Sequence, residues 1–558
     1  MEPYLRLTVS GSAADRAVGR SADMHVYRGR MLDLLPHGRA GHRYLVPRIV
    51  GRGSAMADLR GLVGEMASAL AGTDIAVLQG RYQPRGGSSL HTFDAAGRSA
   101  FADTGFAMHD LLRRVDEVLR PDGEDRPLVV ELARDGAGRA ELRYTFDLPA
   151  VAPVRLVLDP AYRHPNHPAS PMPAPPGIAV TDRPTDPEVL ATIRGLVAEF
   201  VSENTRKTGR TPEFGAGHSE EDIRAAEAAM GLRLPEDLRA LYRTVSGDEE
   251  YGLLGAGALL PLDSVVAAYL AGRPGAGFGP DDLFAVFPVV YEAYPPGRVR
   301  RVSRNDWWVE VGTDWGGNYC MVDLDPGPKG TCGQIIQYGR DFYGPVGYVA
   351  ESVTAALHDV LAALRDDGTP RRASAHPQYS HSEQVGERRI ADVVAGLDVQ
   401  ELYLNEGTTL HLAELAPLRR LRSVSINRAT AVTAAVSPGV PVEWLSIDAA
   451  EIDLSSLGGH PTLWGLKLAS RSPVAIGALA NLPALAHLDL SGAHVSDLYR
   501  VADLPGLRVL ELSLAQWREL RERDALPTGL AAAALNGFAR LKEADEWATW
   551  LRGAAGPR

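Results

Sequence analysis

The stretch 311-VGTDWGGNYCMVDLDPGPKGTCGQIIQYGRD-341 holds both cysteines of the chain, Cys320 and Cys332, among aspartates and glycines. Metal loops, redox pairs, phosphate cradles and plain hairpins all use those residue types, so the spacing has to separate them. In 319-YCMVDLD-325, Cys320, Val322 and Leu324 share one face of a strand and Tyr319, Met321 and Asp323 the other. The segment 326-PGPKGTCG-333 reads as a Pro/Gly turn and 334-QIIQY-338 as the returning strand. Cys332 then lies at the turn end and Cys320 pairs near Tyr338. About six residues at about 3.3 Å each part them, beyond disulfide reach.

Structural zinc usually takes four Cys or His ligands at tight spacing, and this stretch has no histidine. Asp323-x-Asp325-x-Gly327 opens like a calcium loop, but no glutamate stands at the twelfth position. GPKGT lacks the glycine spacing and the G-K-[ST] of a phosphate loop. Gly316 and Gly317, flanked by Asp314 and Asn318, read as a turn. The stretch is a hairpin, and neither metal nor cofactor is expected on it.

Its flanks are consistent with an α+β domain. Ser219 and Asp222 form an S-x-x-D capping box, followed by Ile223, Ala226 and Met230 at helical spacing and then Gly231. In 232-LRLPEDLRALYRTVSG-247, Pro235 suits a first helical position, Leu238, Leu241, Tyr242 and Val245 make a buried face, and Gly247 suits a cap. A short helix is expected over 264–270, strands near 284–291, 307–313, 319–325 and 334–338, and a last helix from Ser352. The apolar stripe of that helix is Val353, Ala356, Leu357, Val360, Leu361 and Leu364.

The order of Leu234–Tyr242, Ser246–Asp248, Leu259–Leu262, Trp307 and Trp308, Gly312–Leu324, Gly333–Ile335 and Glu351–Leu364 resembles the SUKH superfamily over residues 218–365. The resemblance implies helices packed on an antiparallel sheet. It also implies a binding role, since bacterial members are largely toxin-immunity proteins and fungal relatives act as scaffolds in cell-wall synthesis control. It carries over no catalytic residue. The segment 270–308 is longer and more basic than the resemblance leads one to expect, as an insertion that helps choose a partner would be.

Toward the C-terminus, VQELYL (399–404), LRSVSI (421–426), VEWLSI (442–447), LWGLKL (463–468), LAHLDL (485–490) and LRVLEL (507–512) share one apolar pattern. Their fourth positions, Leu402, Val424, Leu445, Leu466, Leu488 and Leu510, are 22, 21, 21, 22 and 22 residues apart. That is a leucine-rich-repeat period, in which stacked coils bury leucines that no coil buries alone. Tyr403, Ser425, Ser446, Lys467, Asp489 and Glu511 then point outward as a partner-binding face, with Asp314 and Trp315 as further candidates. Helical sequence at 529–551, with Leu535, Phe538, Leu541 and Trp547, is expected to cap the array.

The whole is read as a multidomain α+β chain. An N-terminal α+β module (1–158) precedes a Pro-rich linker (159–187) and a SUKH-like α+β domain (188–365). A second linker (366–389), an α/β leucine-rich-repeat solenoid (390–528) and a capping helix (529–558) follow. The N-terminal module carries helices near 54–71 and 107–120 and a hairpin over 127–147, and its end weakly resembles YezG-like immunity proteins.

The formal net charge of −12 disfavours a nucleic-acid partner. No apolar run approaches membrane-spanning length. Two cysteines in 558 residues fit a reducing compartment, and with a charged start (Glu2, Arg6, Asp15, Arg16) the expectation is cytoplasmic. Enzyme readings are thin. Ser88, Ser89 and His91 crowd one strand without a nucleophile elbow. His164 and His167 sit in a proline run, and neither they nor His376 and His381 have ligand-spaced partners. The expected function is stoichiometric binding of a cognate toxin domain. A scaffold for several cellular proteins is the alternative, and an uncatalogued hydrolase comes third.

Overall fold

The computed structural model describes residues 7–10 and 54–555, apart from 85, 102–104, 137–138, 249–250, 256, 273–282, 285–287, 343 and 367–377. His376 and part of the 270–308 segment therefore lie outside the described residues. The chain divides into two compact units. One is built from both chain ends, up to Leu158 and again over Leu488–Gly492 and Leu498–Arg558; the other is Asp159–His487 with Ala493–Asp497.

The first unit opens with β1 (Leu7–Ser10), α1 (Ser54–Ala69), β2 (Val77–Gln83), β3 (Gly87–Phe93), α2 (Gly105–Leu119), β4 (Leu128–Arg134) and β5 (Arg139–Thr145). The strands form an antiparallel sheet of order β1-β5-β4-β2-β3. Val63 and Met66 of α1 and Leu112 and Val115 of α2 join Leu78, Val130 and Leu132 in its core. The expected hairpin is present, with Val130 opposite Tyr144 and Leu132 opposite Leu142. A separate strand, β6 (Val154–Val157), follows.

In the second unit, the proline-rich run from 159 carries no helix or strand up to residue 186. It is nonetheless no free linker, because His164, His167 and Ile178 are buried. Their imidazoles meet backbone carbonyls, His164 Nε2 that of Leu283 at 2.9 Å and His167 Nε2 that of Pro288 at 2.8 Å. Next comes α3 (Pro187–Thr208), capped by Asp186, which accepts from the Glu188 and Val189 amides. Then follow α4 (Glu220–Met230), α5 (Glu236–Tyr242), β7 (Ala258–Leu259), α6 (Leu262–Leu270), β8 (Trp308–Thr313), β9 (Asn318–Asp323), β10 (Gln334–Gly339), β11 (Gly347–Ala350) and α7 (Val353–Arg365). The sheet is antiparallel, in the order β11-β10-β9-β8-β7. The Ser219 capping box forms, and the whole apolar stripe of α7 is buried.

Two expectations fail here. No strand occupies 288–291. Pro288 has no amide to give, and the Glu292 amide goes to the Gln400 side chain at 2.8 Å instead of to a ladder. The helix read over 232–247 ends at Tyr242, before Gly247.

The unit continues with β12 (Ser380–Gln384), α8 (Ile390–Val393), β13 (Glu401–Asn405), β14 (Thr409–His411), β15 (Ser423–Thr433), β16 (Trp444–Asp453) and β17 (Gly465–Ser470). These strands are parallel, and the register aligns Leu402 with Val424, Val424 with Leu445 and Leu445 with Leu466. β12 falls where 366–389 was read as linker. Its SHSEQ sequence has no apolar alternation, and the pairing with β13 supplies what the side chains do not.

The chain then returns to the first unit with β18 (His487–Gly492), β19 (Val509–Ser513), α9 (Leu514–Glu522), β20 (Ala532–Asn536) and α10 (Leu541–Ala555). β18, β19, β20 and β6 lie side by side in that order, β6 antiparallel to β20. The expected helix over 529–558 is thus only α10. The small side chains of Ala531–Ala534 are fully buried in a strand, where a ladder on both sides outweighs alanine's helix preference. Buried Glu131 of β4 anchors the start of α10 by accepting from the Leu541 amide at 2.8 Å, Arg540 Nε at 2.9 Å and Gln79 Nε2 at 3.0 Å.

Arg239 of α5, fully buried, is the corresponding tie in the second unit. It pairs with buried Glu227 and with Glu220, both of α4. Glu227 also accepts from the Leu234 amide at 2.8 Å. Removing one partner leaves a buried charge uncompensated, so Arg239→Ala should destabilise the second unit by about 3–5 kcal/mol. Urea denaturation followed by tryptophan fluorescence checks this; a shift below about 1 kcal/mol would contradict it.

Candidate protein-binding surface

The β9–β10 hairpin that holds the cysteines pairs Cys320 with Gln337 and Tyr319 with Tyr338. Cys320 is buried and Cys332 exposed, both as free thiols, and burial pushes the Cys320 pKa up to about 12. The glycines of the 326–333 turn have a packing reason. A Cβ on Gly327 would lie 2.4 Å from the Gly297 oxygen, and one on Gly330 would lie 2.1 Å from the Arg298 oxygen. The aspartates bind the chain itself. Asp323 accepts from Gln334 Nε2 at 2.7 Å and the Asp325 amide at 2.9 Å, while Asp325 accepts from Asn305 Nδ2 at 3.0 Å and from Arg300. Among the described residues no three His, Cys, Asp or Glu side chains converge to hold a metal.

At the other end of the sheet the β8–β9 turn presents Trp315, 71 % exposed and at φ 59. Left-handed backbone is uncommon for a bulky side chain, and a dense set of hydrogen bonds holds it. Asp314 Oδ1 accepts from the Gly316 amide at 2.7 Å and the Asn318 amide at 3.0 Å, and Oδ2 from Asn318 Nδ2 at 2.6 Å. Thr313 Oγ1 accepts from the Trp315 amide at 3.1 Å, and Asn318 Nδ2 also reaches Asp341 at 2.8 Å. The Asn318 hydrogen bond keeps the Asp314 pKa below the usual carboxylate range. Asp314 and Trp315 are thus brought together as one rigid feature.

Behind that turn, one sheet face carries the cross-strand row Glu310, Met321, Ile336 and Tyr348, with Tyr319 opposite Tyr338 beside it. Trp308, Met321 and Ile336 are buried there, and the three tyrosines are partly buried around them. Trp307 is half-buried, packs against the core on the helix side, and donates from Nε1 to the Pro173 oxygen at 2.9 Å. Glu310 is 8 % exposed, and its Oε2 has no hydrogen-bond partner among the described residues. Burial raises its pKa to about 7. Sequence reasoning passed over this residue, because its only signal is a charge at an inward position of the alternating segment WVEVGT.

On the parallel strands, Tyr403, Ser425, Ser446 and Lys467 do form one cross-strand row. Tyr403 donates to Glu401 Oε1 at 3.0 Å, and Lys467 is exposed. Asp489 and Glu511 are not open contact residues, being 3 % and 9 % exposed. Asp489 accepts from the Ser491 amide and hydroxyl, and Glu511 from Asn536 Nδ2 at 2.9 Å. An inward-turning hydrogen bond to a neighbouring side chain replaces solvent at both.

The adjacent outward positions on β13 to β17 are covered by the chain's own residues. Tyr291 donates to Glu401 Oε1 at 2.7 Å. The His164 ring stacks on Trp464 at 4.8 Å and on His487 at 5.2 Å. Glu443 accepts from Arg301 at 2.7 Å and from Arg422 at 2.8 Å. Within the basic segment, Arg300, Arg301 and Arg304 are matched from within, by Asp325, Glu443 and Asp306. Of the histidines and serines considered for catalysis, Ser88 contacts His109 Nδ1 at 2.7 Å, and His381 lies 3.4 Å from Glu383.

Comparison with known proteins bears on this sheet. Residues 217–359 match the SMI1 / KNR4 family (SUKH-1). They form a SMI1/KNR4 domain. The chain is 45 % identical over 51 residues to a glucan synthesis regulatory protein of Neurospora crassa, covering 9 % of this chain and 10 % of that one. A KNR4/SMI1 homolog of Kluyveromyces lactis is 46 % identical over 48 residues, 9 % of each chain. The cell wall assembly regulator SMI1 of Saccharomyces cerevisiae is 28 % identical over 155 residues, 22 % of this chain and 31 % of that one. The chain thus spans less than a third of each of these relatives.

Asp314, Trp315 and Glu310 all belong to the SMI1/KNR4 domain, whereas the Tyr403–Lys467 row lies outside the matched residues. For Glu310 the folded pKa of about 7 exceeds the ordinary 4.5, so the folded state retains a proton that the unfolded state gives up. Its contribution to stability is full below about pH 4.5 and is lost as pH rises to about 7. Glu310→Gln should therefore gain in thermal midpoint over the wild type between about pH 5 and 7 and hold a constant margin above that. A pH-independent difference would show that the carboxyl does not titrate there.

Proposed function

We propose that the chain is a non-catalytic protein-binding protein whose SMI1/KNR4 domain engages its partner through the Trp315 turn. The observation that carries this is an exposed indole on a backbone that hydrogen bonds have already fixed. Such a side chain loses little freedom on binding, and buried tryptophans dominate the energetics of protein interfaces. The parallel strands repeating every 21 to 22 residues are read as a leucine-rich-repeat solenoid. It adds a second surface around Tyr403, Ser425, Ser446 and Lys467, and two linked surfaces raise avidity through effective concentration.

The partner we propose is a cognate toxin domain, occluded stoichiometrically in the cytoplasm. The N-terminal unit, with its YezG-like resemblance, would be a further immunity-type module. A second reading, a regulatory scaffold for cellular proteins, is favoured by the names of the relatives, which describe regulators of glucan synthesis and cell-wall assembly.

Co-expression of the full chain with the C-terminal domain of a secreted protein encoded beside it tests the first reading. Restored growth is expected, and Trp315→Ala should weaken the complex by about 2 kcal/mol or more while leaving the melting temperature unchanged, as an exposed site allows. Absence of rescue would sink the immunity reading and leave the scaffold. Rescue and affinity untouched by Trp315→Ala would move the contact surface elsewhere.

A further inference from the structure

The cross-strand row Glu310, Met321, Ile336 and Tyr348 is unequal at its two ends. At Tyr348 the chain supplies its own cation, the Arg298 guanidinium sitting 5.4 Å from the ring centroid. At Glu310 the described residues supply none. Oε2 is buried without a hydrogen-bond partner among the described residues, and Glu310 forms no ion pair there. The charged groups of the turn that follows are acidic or paired. Asp314 is held by the turn itself, and Arg340 lies 3.7 Å from Asp341. Tyr319 feels both acids: burial, and after it the charges of Glu310 and Asp314, push its pKa up. Tyr338 lies directly across the strand pair from it.

Leaving a carboxyl buried and unpaired is costly, and most buried acids in this chain avoid it. Aromatic rings beside a carboxyl make a receptor for an alkylammonium or guanidinium group, through ring-face attraction and a charge-assisted hydrogen bond. We propose that Glu310, flanked by Tyr319 and Tyr338 with Trp315 at the rim, receives one Lys or Arg side chain of the protein partner. This rests on the binding role proposed above and specifies the chemistry of its central contact.

The test uses the full chain and a random displayed peptide library. Peptides selected on the wild type should share an essential Lys or Arg. Replacing that residue by norleucine or citrulline should weaken binding tenfold or more, and so should Glu310→Gln in the protein. Glu310→Met, which removes the carboxyl and keeps the bulk, should match Glu310→Gln, which guards against a folding defect in either variant. Peptides that lose affinity with Trp315→Ala but bind Glu310→Gln as well as the wild type would overturn the cation site and leave the Trp315 surface standing. Peptides indifferent to both substitutions, or a library that yields none, would overturn both.

Discussion

No single strand of the sequence can bury Leu402, Val424, Leu445 or Leu466 by itself. The parallel register places each beside the next, all of them fully buried. That one constraint fixes much of the second unit. Once the leucine column faces inward, the alternating positions must face outward, and their order along the sheet follows from the repeat spacing. Glu401, Trp444 and His487 then form the surface on which Tyr291 and His164 dock. Gly465 fits the same logic, since a Cβ there would lie 1.9 Å from the Trp444 ring. The SMI1/KNR4 domain is thus tied to the repeat strands by side chains that the repeat period puts in place.

The buried acids show how strictly charge is managed elsewhere. Glu131 has three donors, Glu227 has Arg239 and an amide, Glu443 has two arginines, and Asp323 has Gln334 and an amide. Each of these is a place where breaking the pair costs more than the pair itself contributes. Glu310 departs from the pattern. It shares a cross-strand row with buried Met321 and Ile336, and its Oε2 has no hydrogen-bond partner among the described residues. A local rule broken in an otherwise consistent structure is where function is most reasonably sought.

Legibility in the sequence followed the range of the determinants. The Ser219 box, the stripe of α7 and the β9–β10 hairpin depend on residues a few positions apart, and each stands where the periodicity put it. β12 was missed because its partner strand, not its own side chains, makes it a strand. The alanine-rich β20 was read as helix because alanine's preference is local, whereas its ladders with β19 and β6 are not. The proline run carries no helix or strand over 159–186. Its burial depends on carbonyls more than a hundred residues away, at Leu283 and Pro288. Asp314 and Trp315 were legible as candidates, while the burial of Asp489 and Glu511 depended on Ser491 and Asn536, which no repeat pattern ranks.

A protein in the binding role proposed for this chain gains affinity by not losing entropy when it binds. The Trp315 turn meets that demand at the level of single atoms. Three contacts to one carboxylate and one to a threonine hydroxyl tie together Thr313, Asp314, Trp315, Gly316 and Asn318 before any partner arrives. The strand pair beneath it is equally fixed, because both of its faces are packed, Cys320 and Val322 toward the helices and Met321 and Ile336 toward the aromatic side. With the sheet packed on both faces, the turn at its end is the part that projects. In this domain that is the Trp315 indole, on the turn that the Glu310 strand runs into, so the one element that hydrogen bonds fix in advance is also the one that stands clear of the packed faces.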